Sequence, residues 1–99
     1  MIVVRYVFHI KWGNMDEVAS VFKSQMSIFE RILGGKRNVR LMTDLTGTFF
    51  TLVEEVDFTS VEEWEELRPK IFADPEFQKS MATIDHLIES GSTELYTLV

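Results

Sequence analysis

Apolar and polar positions alternate along the chain in two rhythms, and each change of rhythm falls on a turn or capping residue. Residues 2–12, IVVRYVFHIKW, are rich in β-branched and aromatic types and stop at Gly13-Asn14, which predicts a first strand closed by a turn. A helical period follows. Val18, Val21, Phe22, Phe29, Ile32 and Leu33 recur on one face, Asn14 stands at the N-cap with Glu17 three residues on, and Gly34-Gly35 ends the run. Residues 36–46 and 48–58 are two strand-like runs flanking Thr46-Gly47, the mark of an antiparallel hairpin. A tight turn there pairs Leu45 with Thr48, and hence Leu41 with Leu52, Thr43 with Phe50, Met42 with Thr51 and Arg40 with Val53.

The second half repeats the plan. Ser60 and Glu63 have capping-box spacing, and Val61, Trp64 and Leu67 give an inward face that Pro69 is expected to break. Asp74-Pro75 is a second start signal, an N-cap followed by proline at the first helical position. Phe77, Met81, Ile84, Leu87 and Ile88 then carry an apolar stripe toward Gly91. A final strand is expected from Thr93 to Val99.

The element order is therefore βαββαβ. Right-handed crossovers put both helical regions on one side of a four-stranded antiparallel sheet, a ferredoxin-like α+β fold in one domain spanning residues 1–99. In the first strand Ile2, Val4, Tyr6, Phe8 and Ile10 form the helix-covered face. The opposite face collects Val3, Arg5, Val7 and His9 with Arg40, Met42, Asp44, Phe49, Thr51, Val53 and Glu55. Half apolar and half charged, that face suits closure against a second sheet, so a homodimer or higher homo-oligomer is expected.

Composition narrows the classes of partner. With 45% hydrophobic and 26% charged residues in 99, the chain has a globular make-up. Its net charge of −6 opposes nucleic acid and anionic membranes, neither of which is an expected partner. The absence of cysteine removes thiolate nucleophiles and ligands and fits the cytoplasm, the expected compartment. No export signal and no apolar run of spanning length is read at the N-terminus.

The stretch SVEEWEELRPKIFADPEFQKSM, residues 60–81, sets a tryptophan before a broken helix and a DPEF restart. Together with the βαββαβ order it resembles the dimeric α/β-barrel superfamily, and within it the antibiotic-biosynthesis-monooxygenase-like and NIPSNAP-like proteins. The resemblance implies a homodimer whose sheets form a barrel, and a ligand pocket in each subunit between sheet and helices or within the barrel. It does not imply one function, since the group holds cofactor-free oxygenases, haem-degrading enzymes and isomerases. The haem-degrading pattern needs an asparagine on the first strand and a histidine about ten residues after the tryptophan. Here the first strand has no asparagine and that later position is Asp74, so no haem or other cofactor is expected.

Candidate chemistry rests on few residues. His9, at a strand end on the open face, carries an imidazole, a group suited to proton transfer, though a hydrogen-bonded interface histidine is the simpler account of it. Glu54 falls on the helix-covered face, where an unpaired carboxylate is costly; either a bulge turns it out or it borders a pocket. Arg5 could hold an anionic substrate oxygen, or join Arg40, Asp44 and Glu55 in an ion-pair network. Trp64 reads first as core, and Tyr6 and Tyr96 as strand formers, while all three are candidate substrate contacts.

His86 and Glu89 are spaced as metal ligands could be on a helix, but a pair makes no site, and none is expected. Two function classes follow. One is a cofactor-free enzyme in which His9 or a carboxylate deprotonates a small aromatic ligand held against Arg5 and Trp64. The other is a non-catalytic homo-oligomeric module.

Overall fold

The computed structural model describes residues 1–35 and 37–99. Its elements are β1 (Ile2–Ile10), α1 (Met15–Ser24), α2 (Met26–Leu33), β2 (Val39–Thr43), β3 (Thr51–Phe58), α3 (Val61–Ala73), α4 (Pro75–Ala82) and β4 (Ile88–Thr97), with a 3₁₀ turn at Asp85–Leu87. The strands lie in the order β2-β3-β1-β4, every neighbouring pair antiparallel. This is the ferredoxin-like sheet read from the sequence, with the helices packed on the face of Ile2, Val4 and Ile10.

Local departures from the expected pattern have physical causes. The first helical run is two helices that meet at Gln25, a residue only 1% exposed whose side-chain amide donates to Ser80 Oγ at 2.8 Å. A buried amide needs such a partner, and the break lets it reach α4. Asn14 does not cap α1; its side chain donates to the Trp12 carbonyl at 3.0 Å and shapes the turn that ends β1 two residues early. Pro69 does not break α3. Leu67 and Ile71, on either side of it, both pack on the core, and that anchorage carries the helix through the lost backbone bond. Ser60 and Asp74 do cap as expected, accepting from the amides of Glu63 and Phe77.

Two expectations on strand position are corrected. The β2–β3 connection is not a tight turn at Thr46-Gly47. It runs over residues 44–50, closed where the Asp44 amide donates to the Thr51 carbonyl and the Thr51 amide donates to Asp44 Oδ1. Gly47 and Phe50 take left-handed φ of 108° and 56° within it. The pairing is therefore shifted by two: Leu41 faces Glu54, Thr43 faces Leu52 and Arg40 faces Glu55. A slip of two leaves every side chain on its own face, so the expected faces survive the wrong register. Phe49 is the exception, since it lies in the loop, exposed, with its ring 5.5 Å from that of Trp12.

The last helical stripe also ends sooner than expected. β4 starts at Ile88, which places His86 in the 3₁₀ turn and Glu89 on a strand, so the helical spacing between them does not exist. The part of the second strand run that falls on Lys36 lies outside the described residues.

The core is in two parts. Ile2, Val4, Phe29, Val56, Phe58 and Trp64 belong to one buried cluster, and Ile10, Val18, Phe22, Leu52, Ile84 and Leu87 form the other. Between them the covered face of β1 thins: Val4 and Ile10 are 0% and 4% exposed, while Tyr6 and Phe8, also on that face, are only half-buried. That gap is the site.

Candidate functional site

A cavity of about 630 Å³ occupies the space between the sheet and the helices, over Tyr6 and Phe8. Phe22 of α1, Phe29 of α2, Ile71 of α3 and Phe77 and Met81 of α4 give it apolar walls, and Val56 and Gly91 belong to its floor. Gly91 is there for room: a Cβ at that position would lie 3.1 Å from Phe8 Cδ1 and 3.3 Å from the Val7 carbonyl oxygen. Phe72, Gln78 and Asp85, all exposed, line it together with the exposed Ser92 and Thr93 of β4, so the cavity meets solvent between the helices and β4. A space of this size and lining suits a small, largely apolar ligand.

Glu54, Tyr6 and Arg68 are among the polar residues that line this cavity, and Trp64, which is not in its lining, touches both Tyr6 and Arg68. Glu54 of β3 stands directly opposite Tyr6 of β1, is 5% exposed, and has a carboxyl oxygen with no hydrogen-bond partner among the described residues. Burial alone pushes its pKa up to about 7. Trp64 Nε1 donates to the Tyr6 hydroxyl oxygen at 3.1 Å. An indole nitrogen can only donate, so the phenol keeps its own proton for another acceptor. Burial, followed by the charge of Glu54, outweighs the opposing effects of Trp64 and Arg68 and holds the Tyr6 pKa above its usual value.

Arg68, half-buried on α3, stacks its guanidinium 4.2 Å from the centroid of the Trp64 ring. It forms no ion pair among the described residues, whereas Arg5, Arg31, Arg37 and Arg40 all do. A buried acid of near-neutral pKa, a phenol with a free proton and an uncommitted cation thus line one apolar space.

The two readings of Glu54 are separated by this arrangement. The irregularity in the sheet lies between β1 and β4, at His9/Ile10, and the pairing of β3 runs unbroken through Glu54 on both sides. The carboxyl therefore faces the cavity.

The other candidates lie elsewhere. His9, Arg5 and Tyr96 are on the open face of the sheet, where Arg5 Nε lies 3.9 Å from both Glu55 and Glu94, and the Tyr96 hydroxyl donates to Glu94. Glu55 also pairs with Arg40, so three of the four charges expected to form a network do so, with Glu94 added and Asp44 turned to its loop. Arg5 and Trp64 are separated by the sheet, which overturns the expectation that one ligand within a protomer is held between them. Nor can His9 and Glu54 act on one face. A second hollow on the open face, of about 350 Å³, is lined by His9, Arg5 and Met42. Among the described residues no group of three His, Asp or Glu side chains could hold a metal ion, and no helix is long and apolar enough to cross a membrane.

Arg68 and Gln25 were not singled out from the sequence. Arg68 stands four residues after Trp64, the spacing at which helical side chains stack, and that spacing was the available signal.

No protein-family model matches the chain, and no curated protein sequence does. Solved structures do. A NIPSNAP family protein of unknown function from Agrobacterium tumefaciens superposes with a TM-score of 0.88 at 21% identity, over 100% of this chain and 88% of that one. In fold, the chain is similar to the NIPSNAP proteins. A NIPSNAP domain protein from Burkholderia xenovorans gives 0.86 at 18% identity, covering 100% of this chain and 95% of its own. An antibiotic biosynthesis monooxygenase gives 0.73 at 15%, covering 100% and 99%. The NIPSNAP-like and monooxygenase-like resemblance read from the βαββαβ order and residues 60–81 is thus met by the fold.

Proposed function

We propose that the chain binds a small aromatic molecule in the cavity between sheet and helices and exchanges a proton with it through Glu54, without a cofactor. The observation that carries this reading is the buried, unpartnered carboxyl of Glu54 facing an open apolar space. A purely structural core would have filled that space or removed that charge, because both are costly. Arg68 and the Tyr6 hydroxyl supply polar contacts for one edge of the ligand, and the apolar walls take the rest. The similar monooxygenase gives this reading a direction, since a deprotonated, electron-rich ring carbon is what dioxygen attacks.

Binding is tested by thermal shift against planar phenols, quinones, aromatic ketones and haem. A ligand at a hundred times its Kd stabilises the fold by about 2.7 kcal/mol. Gly91→Leu, whose side chain would press on Phe8 and grow into the cavity, is expected to fold yet lose the shift. Silence of the wild type across the panel, or a shift that Gly91→Leu retains, refutes the reading.

The open face supports a second part of the proposal, that two copies pair through it. Val3 and Val53 are each 9% exposed there, Val7 is half-buried, and Met42 is 39% exposed beside them. Arg5 Nε is buried without a hydrogen bond among the described residues, a donor that a partner chain can satisfy. Light scattering at micromolar concentration is expected to give twice the chain mass of 11.5 kDa, and a value of 11.5 kDa removes the dimer. A working dimer with no ligand for its cavity would leave the chain a homo-oligomeric module.

A further inference from the structure

The polar groups of the cavity have a division of labour that points to one class of substrate. Glu54 is an acceptor with an unpartnered oxygen; Tyr6 and Arg68 are donors with no carboxylate hydrogen-bonded to either among the described residues. The indole of Trp64 ties the two donors together, giving its N–H to the Tyr6 oxygen and its ring face to the Arg68 guanidinium. The phenol proton and the guanidinium are therefore both held near one edge of the cavity. Both Glu54 and Arg68 are close enough to Tyr6 to act on its charge, the carboxylate opposing phenolate formation and the guanidinium favouring it. An acceptor beside two fixed donors, inside apolar walls, is the arrangement that takes a proton from carbon while holding the oxygen on which the charge collects.

We propose that the substrate is an apolar cyclic ketone with an acidic C–H beside its carbonyl, and that the cavity interconverts it with its enolate. This rests on the reading of the cavity as a ligand site with Glu54 as base. In the forward step a Glu54 carboxylate oxygen takes the α-proton. The C–H electron pair becomes the C=C bond, and the carbonyl π pair moves to oxygen, which accepts hydrogen bonds from Tyr6 Oη–H and an Arg68 N–H. The proton on the Glu54 carboxyl exchanges with solvent through the open edge of the cavity, and in the return step the carboxyl gives a proton, or in D₂O a deuteron, to that carbon or to one conjugated with it. No oxidant, reductant or other co-reactant is consumed. Tyr6 and Arg68 touch the developing enolate, so both are catalytic residues; Trp64 is a positioning residue acting through them.

The bland account of Arg68 is that it covers the tryptophan and nothing more. Stacking alone does not explain why its charge acts on a phenol that stands opposite a buried carboxyl, nor why that carboxyl lines an apolar cavity.

The test uses 2-tetralone, an apolar fused-ring ketone, in D₂O under nitrogen, with α-deuterium incorporation followed by NMR and binding followed by thermal shift on the same samples. The wild type is expected to bind the probe and speed exchange, with kcat/KM rising as the pH climbs through about 7, where Glu54 becomes the carboxylate. Glu54→Gln, a neutral isostere, is expected to retain the thermal shift and lose roughly 10²–10⁴-fold in exchange, the usual worth of a general base. Tyr6→Phe and Arg68→Met are each expected to lose about 10²-fold or more, the usual worth of one oxyanion donor, in kcat rather than KM. Trp64→Phe keeps a smaller aromatic face for Arg68 and removes the N–H, and is expected to lower kcat less than Tyr6→Phe does.

A probe that shifts the midpoint but exchanges at the buffer rate overturns the enolisation and leaves the ligand site standing. Exchange that Glu54→Gln retains also overturns it. If 2-tetralone gives no shift while phenols or quinones do, the ketone class is wrong. If nothing in either panel binds, the ligand site itself fails.

Discussion

Replacing Leu52 with alanine is expected to lower stability by about 2–5 kcal/mol, the range for deleting a fully buried leucine side chain. Leu52 is 0% exposed and packs in the cluster of Ile10, Val18, Phe22, Ile84 and Leu87. Those neighbours come from β1, α1 and the segment that joins α4 to β4. No single element can move in to fill the gap without dragging the others. A chain of this size has on the order of 5–15 kcal/mol in total, so the loss is a large share of it. The thermal midpoint should fall by roughly 4–8 °C for each kcal/mol lost. Urea unfolding of the two proteins side by side measures it. A loss below about 1 kcal/mol would mean that the cluster relaxes around the hole, and that the neighbouring cavity is soft rather than preformed. The same truncation at Phe72, which is 52% exposed at the cavity's edge, should cost far less.

The contrast between Leu52 and its neighbours shows what the sequence carries. Period and capping residues gave the number and order of the strands and located the helix starts at Ser60 and Asp74, because these depend on side chains a few residues apart, while the start of β4, expected at Thr93, lies at Ile88. The face assignments held even though the hairpin register did not. Alternation specifies a side, but only the loop geometry at Asp44, Gly47 and Phe50 specifies the offset. Helix ends were least legible where tertiary contacts overrule local preference: at Gln25, which breaks a helix to reach Ser80, and at Pro69, which fails to break one.

The site was legible in part. Glu54 stood out as a carboxylate on an apolar face, and it lines the cavity. Tyr6 and Trp64 were named and lie beside it. Alternation had already placed Arg5 and His9 on the opposite face from Tyr6 and Glu54, and grouping Arg5 with Trp64 around one ligand disregarded the sheet that lies between those faces. Arg68 escaped notice because it sits on a charged, outwardly polar stretch of α3. Its distinction is a missing ion pair, which is a property of the folded chain alone.

Glu54 has a second, thermodynamic signature that does not depend on any ligand. Its carboxyl titrates near 7 in the folded chain and near the ordinary value of 4.5 when unfolded. Below about pH 4.5 both states carry the proton and the group contributes no difference. Between 4.5 and 7 the unfolded chain ionises while the folded chain does not, so each pH unit favours unfolding by about 1.4 kcal/mol. Above 7 both are charged and the full cost, about 3 kcal/mol, is present. Other carboxylates change stability in the opposite sense at lower pH: Glu63 and Asp74 are held below their usual values, Glu63 chiefly by its hydrogen bond from Arg37 and Asp74 chiefly by the Phe77 amide. The informative quantity is therefore the difference between wild type and Glu54→Gln. By urea unfolding the two should be close at pH 4.5, and at pH 8 the glutamine variant should be the more stable by about 3 kcal/mol. A constant difference across that range would mean that Glu54 is solvated or paired in the folded protein, and would remove it as a base. If the difference does open with pH, burial disfavours the carboxylate under the conditions in which it can accept a proton. A ligand that delivers a proton to it would then recover part of the lost stability on binding, which couples occupancy of the cavity to the charge state of its base.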